Sequence, residues 1–148
     1  MEPFRRRGTS LLTRMKPNEI AVLGTLAGEL VQLVQPMQRP DGEWLPDPAL
    51  RRLFPDAYRD DAQASEDFRR FTQTDQAAAK VEAAQTVIAD LQDPDGGWVT
   101  VPPDNITAWL ITLTNLRLVM AERANKIDAI FDWCGWMLES MLDAVAVA

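Results

Sequence analysis

Residues 106–120 read "ITAWLITLTNLRLVM", and their spacing decides the fold class. At about 100° per residue, a helix here carries Ile106, Trp109, Leu113, Leu116 and Met120 on one side and Ile111 and Leu118 on the other. A helix apolar nearly all round needs neighbours on several sides, so this one, from Pro103 to about Asn125, is expected at the centre of a helical bundle. Arg117 borders its main stripe. A long cation in that position usually lays its stem over apolar surface and frees its charged head; a buried ion pair is the alternative.

Working back towards the start, "DPDGGWVTVPPD" gives a tight turn and then a brief strand around Trp98 to Val101, with a partner near Thr9 to Met15, "TSLLTRM". Each strand runs through proline into a helix: "MKPNEIAVL" is aligned with "VPPDNITAW", Pro17 with Pro103 and Ile20 with Ile106, either a faint internal repeat or chance. The echo of "PDGGW" in "PDGEW" at Pro40 to Trp44 reads as a turn followed by an anchoring tryptophan. The first helix is expected over Pro17 to Val34, opened by proline, with Glu19 in its first turn and Ile20, Leu23, Ala27, Leu30, Val31 and Val34 at helical spacing. Gly24 and Gly28 within it suit close approach of another helix of the same chain.

Pro36, Pro40, Gly42 and Pro46 then interrupt the pattern, and Asp47 is placed to cap a short helix opened by Pro48 and carrying Leu50, Leu53 and Phe54. The acidic cluster Asp60, Asp61, Glu66 and Asp67 favours the start of a long helix ending near Leu91. Its apolar side begins with Phe68 and Phe71 and turns towards Val81, Ala84, Ile88 and Leu91, so two different neighbours must cover it. A continuous helix is expected, the alternative being a break near Thr72 to Gln76.

The last helix aligns Ile127, Ile130, Phe131, Cys134, Met137, Leu138, Met141 and Val145 in one stripe. Cys134 falls at its middle, where burial raises a thiol's pKa and suppresses the reactive thiolate. No lysine, arginine or histidine lies within a turn of it in sequence. Trp133 stands at the flank of the stripe, whereas Trp136 points about 160° away from its centre, in line with Asp132, Glu139 and Asp143. A large aromatic on an acidic face suits docking of a partner, unless another segment of the same chain covers it.

The whole sequence has 148 residues, 47% hydrophobic and 25% charged, the composition of a folded globular chain of one domain. No apolar run approaches the roughly 20 residues needed to cross a bilayer and the start has no apolar stretch suited to a signal peptide, which points to the cytoplasm. With one cysteine and no histidine, neither an intrachain disulfide nor the usual zinc ligand sets can be assembled. Acid–base or nucleophilic catalysis has no evident machinery, and "DPDGG" lacks the lysine and the hydroxyl residue of a phosphate loop. An enzyme, a bound cofactor and a metal site are therefore not expected. The net charge of −7 argues against direct nucleic-acid contact, although Arg5, Arg6 and Arg7 form a basic run and Arg69 with Arg70 a second. Solvated arginines, or arginines paired with acidic neighbours, are the simpler account of both.

The segments "DPALRRLFPDAYRDD", "DFRRFTQTDQAAAKVEAAQTVIADL", "GGWVTV" and "AWLITLTNLRLVM" resemble, in order, the actinobacterial family first catalogued as domain-of-unknown-function-2017 and since named for the oxidative stress regulator AosR. The most specific parts are Phe68-Arg69-Arg70 with Thr72 and Lys80, and Ala108-Trp109-Leu110 followed by Leu116-Arg117-Leu118. The resemblance implies a small, mostly helical cytoplasmic protein associated with redox-responsive transcription through contact with a sigma factor. Two departures stand out: Thr114-Asn115 where the family tends to have Asn-Asp, and Gln76-Ala77 where it tends to have Leu-Arg. A sensing disulfide within one chain needs two thiols, so a redox role here would place the sensor elsewhere or between chains.

The sequence is thus read as a mostly α, single-domain bundle of four to five helices with a minimal two-stranded β element, acting by protein–protein contact. Trp136, Asp132, Glu139, Asp143, Arg69 and Arg70 form the candidate surface for a protein partner or a second copy. The rival readings are a direct thiol sensor using Cys134 and a dimeric adaptor linked to protein turnover.

Overall fold

The computed structural model describes residues 1–39, 47–54, 66–123 and 129–147, the side chains of 66–71 excepted. Its elements in chain order are β1 (Arg5–Arg7), β2 (Ser10–Arg14), α1 (Pro17–Val34), α2 (Pro48–Leu53), α3 (Glu66–Asp90), β3 (Trp98–Val101), α4 (Ile106–Ala121) and α5 (Ala129–Ala146). Short 3-10 turns at Gln35–Gln38 and Pro103–Asn105 follow α1 and precede α4. The protein is mostly α, as its periodicity predicts.

The β element has three strands and not two. The antiparallel order is β1-β2-β3, with Leu11 opposite Val101 and Arg14 opposite Trp98 across the expected pair, and Arg5 opposite Leu12 across the added one. The extra strand is the basic run itself. Three consecutive arginines have no alternation to betray a strand, and Gly8, at φ +64°, makes the tight turn that folds them back onto β2.

The two strand–proline–helix units place their strands side by side, and α1 and α4 both pack against α3. Gly97 fixes that corner. Met15 donates its N–H to the Gly97 carbonyl at 2.8 Å, and Gly97 itself sits at φ +86° with no room for a side chain. α1 starts at Pro17 as expected; the Lys16 N–H donates to Glu19 Oε1 at 2.8 Å, which satisfies the helix entrance. Burial around Glu19 would raise its pKa, but the Lys16 N–H and the nearby Met1 ammonium outweigh that and lower it. Asp47 caps α2 through the Ala49 N–H at 2.9 Å, and Leu50, Leu53 and Phe54 are buried. Ion pairs from Arg52 to Glu122 and from Arg123 to Asp47 tie α2 to the end of α4.

One hydrophobic core joins these elements. Trp109, Leu113 and Leu116 of α4 meet Val81, Ala84 and Val87 of α3, Leu23, Leu30 and Val34 of α1, and Cys134, Met137 and Met141 of α5. Phe4 inserts edge-on to Trp109, with ring centroids 6.0 Å apart at 77°. α3 is continuous from Glu66 to Asp90, without the alternative break. Asp60, Asp61, Ile127 and the "PDGEW" turn lie outside the described residues, as do the side chains of Glu66, Asp67, Phe68 and Phe71.

Three expectations are corrected. α4 is covered on most sides, but Ile111 stays 38% exposed, because α1, α2, α3 and α5 leave that side open. Gly24 and Gly28 are not a helix–helix contact: a Cβ added at either meets nothing within 4 Å. The buried stripe of α5 turns towards Ala144 and leaves Val145 exposed, since α4 and the sheet approach that helix from one flank. α1 with its 3-10 extension, Pro17–Gln38, is long and apolar enough to cross a membrane by length and composition. Leu23, Ala27, Leu30 and Val34 nevertheless lie buried in the core.

Candidate functional site

Helix α5 presents two sides of different chemistry. On the outer side Trp136 is 37% exposed, and Asp132, Glu139 and Asp143 are exposed around it. The helical repeat brings these four residues onto one face, as their spacing predicts. Among the described residues no cation forms an ion pair with any of the three carboxylates. The face is an indole ringed by free negative charge. Arg69 and Arg70 stand on α3, with side chains outside the described residues.

The inner side holds Cys134, fully buried and free. Burial pushes its thiol up to about 11, and the charge of Arg117 only partly offsets that. Arg117 is the group that reading along one helix misses, for it reaches across from α4. Its guanidinium carbon lies 5.0 Å from the centre of the Phe131 ring and would be 3.3 Å from a Cβ placed on Gly135. Nε is buried without a hydrogen-bond partner, while the residue as a whole stays partly exposed. Gly135 leaves the space in which the guanidinium lies. Trp133, at the flank of the stripe, is half-buried with its indole N–H unpartnered.

A second cluster stands on the sheet. The register puts Arg5, Leu12, Arg14 and Trp98 on one face, since alternate strand residues share a face. The Arg5 guanidinium carbon is 4.7 Å from the centre of the Trp98 ring and that of Arg14 is 5.7 Å away. Arg14 also lines an open groove of about 510 Å³ beside Met15, Lys16, Gly96 and Gly97. The signal for this cluster was the alternation of Trp98 and Thr100 against Val99 and Val101, which places the tryptophan on the outer side. The missing link was the third strand.

Comparison with known families adds one finding: the model of a domain of unknown function, DUF2017, matches residues 1–145. The chain belongs to the DUF2017 family. The match spans both strand–proline–helix units and α5, so the Trp136 face, the Cys134–Arg117 contact and the arginine-flanked sheet all fall within the DUF2017 region. No curated protein and no solved structure matches the chain.

Proposed function

We propose that this DUF2017 protein is a non-enzymatic regulator that works by contact with another protein. The observation that carries the reading is Trp136, a large indole held at the surface by a rigid helix amid three unpaired carboxylates. Aromatic residues dominate the energy of many interfaces, and the surrounding negative charge selects a partner with basic groups. The resemblance to the AosR family supplies the biological setting: the cytoplasm, redox-responsive transcription, and a sigma factor as partner. Burial of Cys134 speaks against a thiol sensor, because the thiolate is the reactive species and its formation is suppressed at neutral pH.

The test is binding of the purified protein to the sigma factors of its host, with Trp136→Ala compared beside the parent. The expected loss is at least about tenfold in affinity with unchanged thermal stability. Light scattering of the two proteins alone reports whether the same face joins two copies. Equal binding and equal mass for both proteins would reject this face as an interface.

A further inference from the structure

Trp136 stands between two rows of opposite charge, and the bond that anchors β1 shows how. The Phe4 N–H donates to Ser140 Oγ at 2.8 Å, so β1 lies beside α5 and its arginine run begins at the next residue. Trp136 precedes Ser140 by one turn, on the same side of the helix. At about 100° per residue, Trp136 is about 40° from Ser140, and Asp143, Asp132 and Glu139 follow in the same direction at about 60°, about 80° and about 100°. The order across the surface is arginine strand, indole, acidic row.

Both rows are unused within the chain. Arg5, Arg6 and Arg7 are exposed, as are Asp132, Glu139 and Asp143, and among the described residues none of the six forms an ion pair. A partner of one sign satisfies one row and is repelled by the other. A second copy of this chain carries both signs. One two-fold arrangement matches them: an axis running along α5, in the plane of contact, exchanges the two flanks of the helix, so each acidic row faces the arginines of the other copy. An axis across α5 sets like against like. Glu139 and Asp143 bracket Ser140 in sequence, which puts them at the level where β1 is anchored, and Trp136 lies between the rows, where it meets its own counterpart.

We propose that two copies of the chain pair through this face, with the two α5 helices running in the same direction, Trp136 against Trp136, and Glu139 and Asp143 of each copy against Arg6 and Arg7 of the other. The inference rests on the reading of the Trp136 face as a docking surface and names an occupant for it. Arg5 is left out because its guanidinium is held over Trp98. Light scattering of the full chain over a range of concentrations is expected to show a mass rising towards twice that of one chain, and falling back as salt rises from about 50 to about 300 mM. Glu139→Lys/Asp143→Lys and Arg6→Glu/Arg7→Glu, all at exposed positions, are each expected to weaken self-association at least about tenfold, because each brings like charges together across the axis. Mixing the two variants in equal amounts restores opposite charge on both flanks, and a mixed pair of twice the single-chain mass is expected to form, which also shows that both variants are folded. The proposal is overturned if the parent stays monomeric at every concentration, if either variant associates as well as the parent, or if the mixture gives no mixed pair. Partner capture is measured separately, at a dilution where the chain is monomeric, so a failure of self-association strikes this inference alone and a failure of capture strikes only the reading of the face as a site for a different protein.

Discussion

The indole N–H of Trp109 donates to the carboxylate of Asp90 at 2.9 Å, joining the last residue of α3 to the buried helix. The Asn105 side-chain amide donates to both oxygens of the same carboxylate at 3.1 Å. Asp90→Ala therefore leaves two donors without an acceptor, and the expected loss is about 1–3 kcal/mol. Asp90→Asn keeps an acceptor and is expected to retain most of the stability. Urea midpoints of the three proteins check this; equal midpoints would mean that water replaces the carboxylate at no cost.

Gly97 and its neighbour Gly96 offer a matched pair. Both have positive φ, +86° and +60°, but a Cβ on Gly97 would stand 2.8 Å from the Met15 carbonyl oxygen, whereas one on Gly96 meets nothing within 4 Å. Gly96→Ala is expected to cost about 1 kcal/mol for the left-handed backbone alone. Gly97→Ala adds a backbone clash and is expected to cost at least about 2 kcal/mol more, with the β2–β3 amides losing exchange protection first. Thermal melts of the two variants, with amide exchange of the second, make the comparison.

Cys134 gives stability an alkaline limit. Its thiol is raised to about 11 by burial, so in the unfolded chain the proton leaves at lower pH than in the folded one. From the ordinary thiol value up to about 11 the unfolded state is favoured progressively, at a cost on the order of 2 kcal/mol once the window is crossed. Lys80 acts in the opposite sense, because burial lowers its pKa and folding then gains as pH rises towards the ordinary lysine value. Comparing the parent with Cys134→Ala isolates the thiol: the variant's stability should fall less across this range in denaturant titrations at stepped pH. A native thiol that labels quickly at neutral pH would contradict the buried placement.

Arg117→Met tests the contact between α4 and α5. The substitution keeps an unbranched stem and removes a buried Nε that has no partner, while giving up the cation over Phe131. These terms oppose one another, and stability is expected to change by less than about 1 kcal/mol. The Cys134 pKa should rise further, since the one charge that lowers it has gone. Thiol labelling measured at about pH 10 should therefore slow, and a faster rate would show that the guanidinium does not act on the sulfur.

What the sequence made legible follows physical range. The bounds of α1, the Asp47 cap and the outward side of Trp136 rest on local spacing, which survives folding, and the β2–β3 pairing on two strand signals far apart in the sequence. Gly24 and Gly28 misled because a small residue permits a close neighbour without supplying one. Arg117 and Cys134 misled for another reason: they stand on different helices, and a search within one turn cannot find a charge that arrives from across a helix pair. The arginine run hid a strand because identical residues carry no periodicity. Of the candidate site, the Trp136 face was legible and the sheet face was not.

The bond from the Phe4 N–H to the Ser140 hydroxyl, 2.8 Å long, spans 136 positions of chain. Phe4 lies against Trp109 and is anchored on α5, so its seat is complete only once α5 has been synthesised. The β1–β2 hairpin can close early, but its docking onto α5 is a late, long-range step of folding.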